Sequence, residues 1–216
     1  MSRLNFYKKN ILQNIQDKNS KILVLGAGKL DHDVFNELGF KNVSLSNYNN
    51  IEGPVKLKNL LLQDINLPDN EYDYCVAHAC IHHSSKPHNS ILEMYRVSKK
   101  GFLVIEANDC FLTRLACKLG YAEEFEKSAV VKNKTHGGVD NTNIPNYVFR
   151  WTEREVYKLL SSYKPNIKHK IIYNYANDIK FTNRFIIKIF FKIFFMIFSK
   201  QQNLFSFFVK KTNFPQ

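Results

Sequence analysis

Hydrophobic positions along the chain follow two rhythms. Residues 4–16 (LNFYKKNILQNIQ) place apolar side chains at 4, 7, 11, 12 and 15, the spacing of one helix face. Lys21–Leu25 (KILVL) is a short apolar run ending in Gly26-Ala27-Gly28, the pattern of a buried parallel strand entering a tight turn. HDVFNELGF then predicts a helix stopped near Gly39. Strands are predicted at NVSLS, at NLLLQDI (59–65), at EYDYCVAHA (71–79) and at GFLVIEAN (101–108). Helices are predicted at NSILEMYRVS (89–98) and DCFLTRLACKLG (109–120). Strands alternating with helices point to βαβ units and a parallel sheet.

Residues 121–150 break this rhythm. HGGVDNTNIPN (136–146) is rich in Gly, Asn and Pro and reads as a loop. Thr152 and Glu155 have the spacing of a capping box, so a helix is expected over WTEREVYKLLSS (151–162). A strand at KHKIIYNYA (168–176), a very apolar helix over 182–199 and a last strand at NLFSFFVKK (203–211) complete the pattern.

Composition narrows the class. The chain has 216 residues, 44% hydrophobic and 23% charged, enough for a substantial core and unlike a disordered tail. Cys75, Cys80, Cys110 and Cys117 form no C-x-x-C pair and no Cys/His zinc spacing, so they read as reduced thiols and no metal site is expected. The start MSRLNFYKKN has no apolar h-region, so no secretory signal is expected. The net charge of +12 is uneven: residues 1–163 carry +3 and residues 164–216 carry +9. Those late basic residues are threaded through Phe and Ile (NRFIIKIFFKIFFMIFSK), which suits an anionic, greasy surface better than a phosphate backbone and argues against nucleic acid.

A strand ending in G-x-G at a helix start lets a ligand approach the backbone and offers free N–H groups. The dinucleotide fingerprint G-x-G-x-x-G needs a third Gly at position 31, which is Asp31, so nicotinamide or flavin is disfavoured. The order VLGAGKL, DINLPDNEYD, IHH and EMYRVSKKG instead resembles the class I S-adenosylmethionine-dependent methyltransferases. It is most similar to their small-molecule branch related to ubiquinone-biosynthesis methyltransferases, and also to methyltransferases found with bacterial surface-polysaccharide genes. The resemblance covers about residues 20–108.

It implies one α/β domain over 1–216 with a Rossmann-like, mostly parallel seven-stranded sheet, the last strand antiparallel and the 182–199 helix joining the final two strands. It implies S-adenosylmethionine as cofactor. Gly26, Ala27 and Gly28 correspond to the turn against the methionine part, Asp64 to the acid facing the adenine amino group and Ile65 to its neighbour by the ring. His78 and Ala79 correspond to the segment under the methionyl group. The sequence departs from the pattern at Val24 and Leu30, and Asn47 stands where an acid holds the ribose hydroxyls.

The expected reaction is methyl transfer to a hydroxyl or amine of a glycan or lipid-linked glycan. The alternatives are a quinone or other lipophilic small molecule, and a non-catalytic membrane- or partner-binding module. His83 and His136 are the expected bases where the acceptor has a proton to lose, His83 after strand four and His136 in the 121–150 substrate-side loop. In that loop Tyr147, Phe149 and Trp151 are either a sugar-stacking cluster or core. Arg184, Lys188 and Lys192 form one stripe on the apolar helix, which is too short to span a bilayer. That helix suits a membrane interface, a homodimer or partner contact, or the core. A cytoplasmic protein, peripheral on the inner membrane face, is the expected setting.

Overall fold

The computed structural model describes residues 1–49, 55–133, 136–178 and 185–211. Seven strands run β1 Ile22–Leu25, β2 Val43–Asn47, β3 Lys58–Asn59, β4 Tyr72–His78, β5 Ser98–Ala107, β6 Lys170–Ala176 and β7 Leu204–Lys210. They form one sheet in the order β3-β2-β1-β4-β5-β7-β6. β1 to β5 are parallel neighbours, and β7 inserts antiparallel between β5 and β6. This is the expected topology.

Alternation along the inner strands sorts the core into two layers. Leu23 and Leu25 of β1, with Cys75 and Ala77 of β4, face α3 (Pro87–Val97) and α6 (Glu153–Tyr163). Ile22 and Val24, with Val76, Leu103 and Ile105, face α1 (Arg3–Asn14) and α2 (Lys29–Glu37). Both faces of the parallel strands are thus covered, which is why they read as continuous apolar runs. β5 and β7 approach so closely at Gly101 that a Cβ there would lie 2.3 Å from the Val209 carbonyl oxygen.

Several predicted boundaries hold. Thr152 caps α6 by accepting the Glu155 N–H, and Gly39 follows α2 with φ +76°. The predicted strand at 59–65 is corrected: only Lys58–Asn59 pair with β2. The chain then turns back on itself, the Asp64 N–H donating to the Leu61 carbonyl, and Leu60–Leu62 become a cleft wall. Within 121–150 lies a helix the pattern gave no sign of, α5 Lys127–Asn133.

Two further helices stand at the carboxyl end of the sheet, α4 (Phe111–Lys118) and α7 (Phe185–Ile197). α4 has no buried residue. Exposed apolar side chains on and beside the two helices include Phe111, Leu119, Ile193, Met196, Ile197 and Phe198. Among the described residues no helix is long and apolar enough to cross a membrane. Of the predicted basic stripe, Lys192 is exposed, while Arg184 and the Lys188 side chain lie outside the described residues.

Candidate functional site

Two cavities open at the carboxyl ends of the parallel strands, where α/β sheets take their ligands. The smaller, about 330 Å³, is a polar cleft bounded by Gly26, Asn47, Tyr48, Leu60–Gln63, Cys80, His83, residues 136–138, Asp140 and Asn141. The larger, about 900 Å³, is mostly apolar. Its walls include Leu112, Leu115 and Leu119 beside Phe191 and Phe195, with Ile105, Glu106 and Leu204 at the strand ends. Ala79 borders both cavities, with φ +50° just past β4.

The polar cleft begins at the glycine turn. Gly26 has φ +58°, and a Cβ on it would lie 2.4 Å from Cys80 Cβ, so the turn accepts only glycine there. Nothing lies within 4 Å of a Cβ on Gly28, so the start of α2 stays open. Asp31, at the missing third glycine, accepts the Gly28 N–H at 3.0 Å and the buried Tyr7 hydroxyl at 2.9 Å. The position thus ties α1 to the turn. Asn47 spends its side chain locally, donating to the Ala27 carbonyl at 3.1 Å and accepting the Tyr48 N–H at 2.8 Å.

A short loop covers this cleft. Asp140 accepts from Gln63 Nε2 and from the Ser85 N–H, both at 3.0 Å. Asn141 donates to the Tyr48 carbonyl at 2.7 Å. Both loop residues sit in the left-handed region, φ +47° and +58°, a conformation that Asp and Asn tolerate best among residues with a side chain. His136, expected as a base, belongs to this cover and lines the cleft.

Between the cavities stands a compact group of two histidines and two glutamates. Glu106, near the end of β5, is fully enclosed and accepts the Cys80 and Ile81 N–H groups at 2.9 and 2.7 Å. Its other oxygen meets His82 Nδ1 at 2.6 Å. His82 Nε2 and His83 Nε2 lie 3.4 and 3.5 Å from Glu126 Oε2. Burial opposes the His82 charge, but Glu106 and Glu126 outweigh it and push its pKa up to about 10. The His82 contact, against burial, brings Glu126 down to about 2. Burial and the neighbouring His82 charge lower the His83 pKa, so His83 is neutral near pH 7.

The remaining expected residues are placed as follows. Ala27 is buried beneath the turn, with its N–H on the Ser46 carbonyl. Asp64 is exposed and does not line the polar cleft, whereas its neighbour Gln63 is buried and does. Ile65 is core, its N–H donating to Glu93. His78 stacks on Tyr7 at 4.2 Å and borders the apolar cavity. Of the aromatic cluster, Trp151 is wholly buried, Phe149 packs against the core, and Tyr147 is exposed against Phe125. Sequence reasoning passed over Glu106, Glu126 and Gln63. An acid closing the apolar run of β5 was a visible sign for Glu106, whereas Glu126 sits in the stretch without rhythm.

Comparison with known proteins agrees with this fold. Residues 37–105 match the family model for a methyltransferase domain. No curated protein sequence matches. The PH0226 protein of Pyrococcus horikoshii superposes with a TM-score of 0.60 at 12% identity, over 97% of this chain and 90% of that one. An S-adenosylmethionine-dependent methyltransferase of Methanosarcina mazei gives 0.55 at 15% identity, over 93% and 96%. One from Archaeoglobus fulgidus gives 0.56 at 11% identity, over 96% and 94%. The sheet is a Rossmann-like methyltransferase fold, and S-adenosylmethionine-dependent methyltransferase is the enzyme class, with its cofactor, that the domain match and this fold support.

Proposed function

We propose that the protein methylates a hydroxyl or amine on an acceptor with a lipophilic body, such as a quinone-like molecule or a lipid-linked glycan. The observation that carries this reading is the large apolar cavity meeting the polar cleft at Ala79. The polar cleft fits the cofactor: it lies against the Gly26 turn, the start of α2 is open at Gly28, and Asn47 and the covering loop form its walls. Gly26, Gly28, Asn47 and Leu61–Gln63 are the residues that would hold it, with His136 and Asp140 in the cover. Ile65 packs behind that wall, and Asp64 is exposed outside it. When bound, S-adenosylmethionine supplies an activated methyl group, so the protein's task is mainly alignment.

The chain's own residues then handle one proton. His83, neutral at pH 7, stands beside Glu126 where the cavities meet, and takes the proton that an attacking hydroxyl must lose. The Glu106–His82 pair holds that corner in place. The apolar cavity accepts a tail that a free sugar lacks, and with Phe149 and Trp151 packed inward only Tyr147 of the aromatic cluster is exposed to a sugar. We further propose that the exposed apolar residues of α4 and α7, with Lys192, rest on a membrane surface from which such an acceptor enters. On this reading the protein works peripherally at a membrane face.

Methyl transfer from radiolabelled S-adenosylmethionine tests the reading on matched acceptors: prenylated hydroquinones, polyprenyl-linked sugars, and the same head groups without tails. The tailed acceptors are expected to exceed the head groups at least tenfold in kcat/KM. Equal rates, or preference for free glycans, would overturn the lipophilic reading. Turnover of none by a protein that binds the cofactor would favour a non-catalytic module.

A further inference from the structure

We infer that His82, His83 and Glu126 form a binding site for one divalent zinc-class metal ion, with Glu106 fixing the orientation of His82. The inference refines the site proposed above and rests on the acceptor lying there. The three side chains offer two imidazole nitrogens and a carboxylate oxygen, all within 4.8 Å of one another. Two histidines and one glutamate are a donor set that zinc uses in open sites, leaving a fourth position for an outside oxygen.

The separations leave room for an ion between the groups. His82 Nε2 and His83 Nε2 lie 3.4 and 3.5 Å from Glu126 Oε2. An ordinary N–H···O bond spans about 2.7–3.2 Å. Two ligands of a tetrahedral zinc, at about 2.0–2.2 Å from the ion, stand about 3.3–3.5 Å apart. Both observed distances, which without an ion are direct ion-pair contacts, also match the tetrahedral separation.

The outer partner is also present. A metal-bound histidine commonly gives its second ring N–H to a carboxylate, which sets the tautomer and the ring's aim. His82 Nδ1 meets Glu106 Oε2 at 2.6 Å, so its Nε2 is the nitrogen turned towards Glu126. Glu106 cannot swing away, because two backbone N–H groups hold its other oxygen. His82 and Glu126 border the apolar cavity and His83 borders the polar cleft, so an ion here would meet the acceptor's oxygen where the two join. There the ion would hold and polarise that oxygen, with His83 as one of its ligands.

The test uses the full chain after treatment with a chelator. Titration with Co²⁺ is followed by visible absorption, and titration with Zn²⁺ by calorimetry. One equivalent is expected, with the intense bands of four-coordinate cobalt. Glu126→Gln and His83→Gln are each expected to weaken uptake at least tenfold, and Glu106→Gln by 10–100-fold, the usual effect of losing an outer partner. Circular dichroism checks that each variant is folded. No uptake by the wild type, weak six-coordinate bands, or uptake unchanged in both Glu126→Gln and His83→Gln would overturn the site. S-adenosylmethionine binding by the metal-free wild type is measured in parallel. Its loss would count against the methyltransferase reading, and its presence without metal uptake would count against the metal alone.

Discussion

The two cavities that meet at Ala79 are built by opposite means. The polar cleft is shaped by backbone: a glycine turn, a chain reversal at Leu61–Asp64, and a cover tied down by Asp140 and Asn141. The apolar cavity is shaped by side chains of α4 and α7, which stand against few other elements and leave Phe111, Leu119 and Met196 exposed. Hydrogen-bonded backbone holds one geometry, whereas apolar walls adapt to what fills them. The first arrangement suits a fixed ligand, the second a variable tail.

The sharpest way to break this comparison is to remove the floor common to both. β7 lies between β5 and β6, so residues 180–216 contain an inner strand. Truncation to 1–179 is expected to abolish cooperative melting and cofactor binding together. A soluble 1–179 that melts cooperatively would show that the polar cleft stands without the apolar side. Next in size is Gly26→Ala, which sets a Cβ 2.4 Å from Cys80 in a left-handed backbone. A stability loss of about 2 kcal/mol or more is expected. S-adenosylmethionine binding, read by calorimetry, is expected to fall at least tenfold. Unchanged binding would mean that the cofactor does not use this turn.

The histidine–glutamate group at the border predicts a pH effect in chelator. The folded His82 pKa of about 10 exceeds the unfolded value of about 6.5. Its stabilisation is therefore complete below about pH 6.5 and lost as pH rises towards 10. The depressed Glu126 acts oppositely: its contribution is present above about pH 4.3 and is lost as pH falls towards about 2. The Tm of the wild type is expected to decline between pH 7 and 10, and His82→Gln to remove most of that alkaline slope. The effect is on the order of a few kcal/mol. An equal slope in the variant would mean that the pair titrates elsewhere.

How much of this was legible depended on how each feature is encoded. The strands of the parallel core announced themselves because both their faces are buried, and the start of α6 and the end of α2 because Thr152 and Gly39 act within a few residues. β7 was visible as a strand at 203–211, but its antiparallel insertion was legible only through the resemblance, since it depends on β5, about a hundred residues earlier in the chain. In the site, His83 could be placed at the sheet edge, but its partner Glu126 comes from the segment without periodicity, brought in by its N–H on the Asn146 carbonyl. Cysteine and histidine spacing pointed to no metal site. A ligand set assembled from residues 82, 83 and 126 has no local spacing to read. Asp64 fitted the family pattern by order, yet the tight turn at Leu61–Asp64 leaves it exposed and turns Gln63 inward.

The smallest expected effect separates the membrane side of the comparison from stability. Met196 and Ile197 are 75% and 69% exposed, so serine at either should change stability by no more than about 0.5 kcal/mol. If these side chains enter a bilayer interface, each withdrawn residue costs about 1 kcal/mol of partitioning, roughly fivefold in vesicle affinity. Vesicle co-sedimentation of the double variant Met196→Ser/Ile197→Ser should therefore fall by more than tenfold while its Tm stays in place. Lys192→Glu gives the electrostatic half of the same contact: a loss on anionic vesicles that disappears on neutral ones and shrinks with added salt. Vesicle binding untouched by all three substitutions would move the exposed apolar face of α7 from lipid to a protein partner. A concentration-dependent change in sedimentation velocity, abolished in the same double variant, would identify that partner as a second copy of this chain.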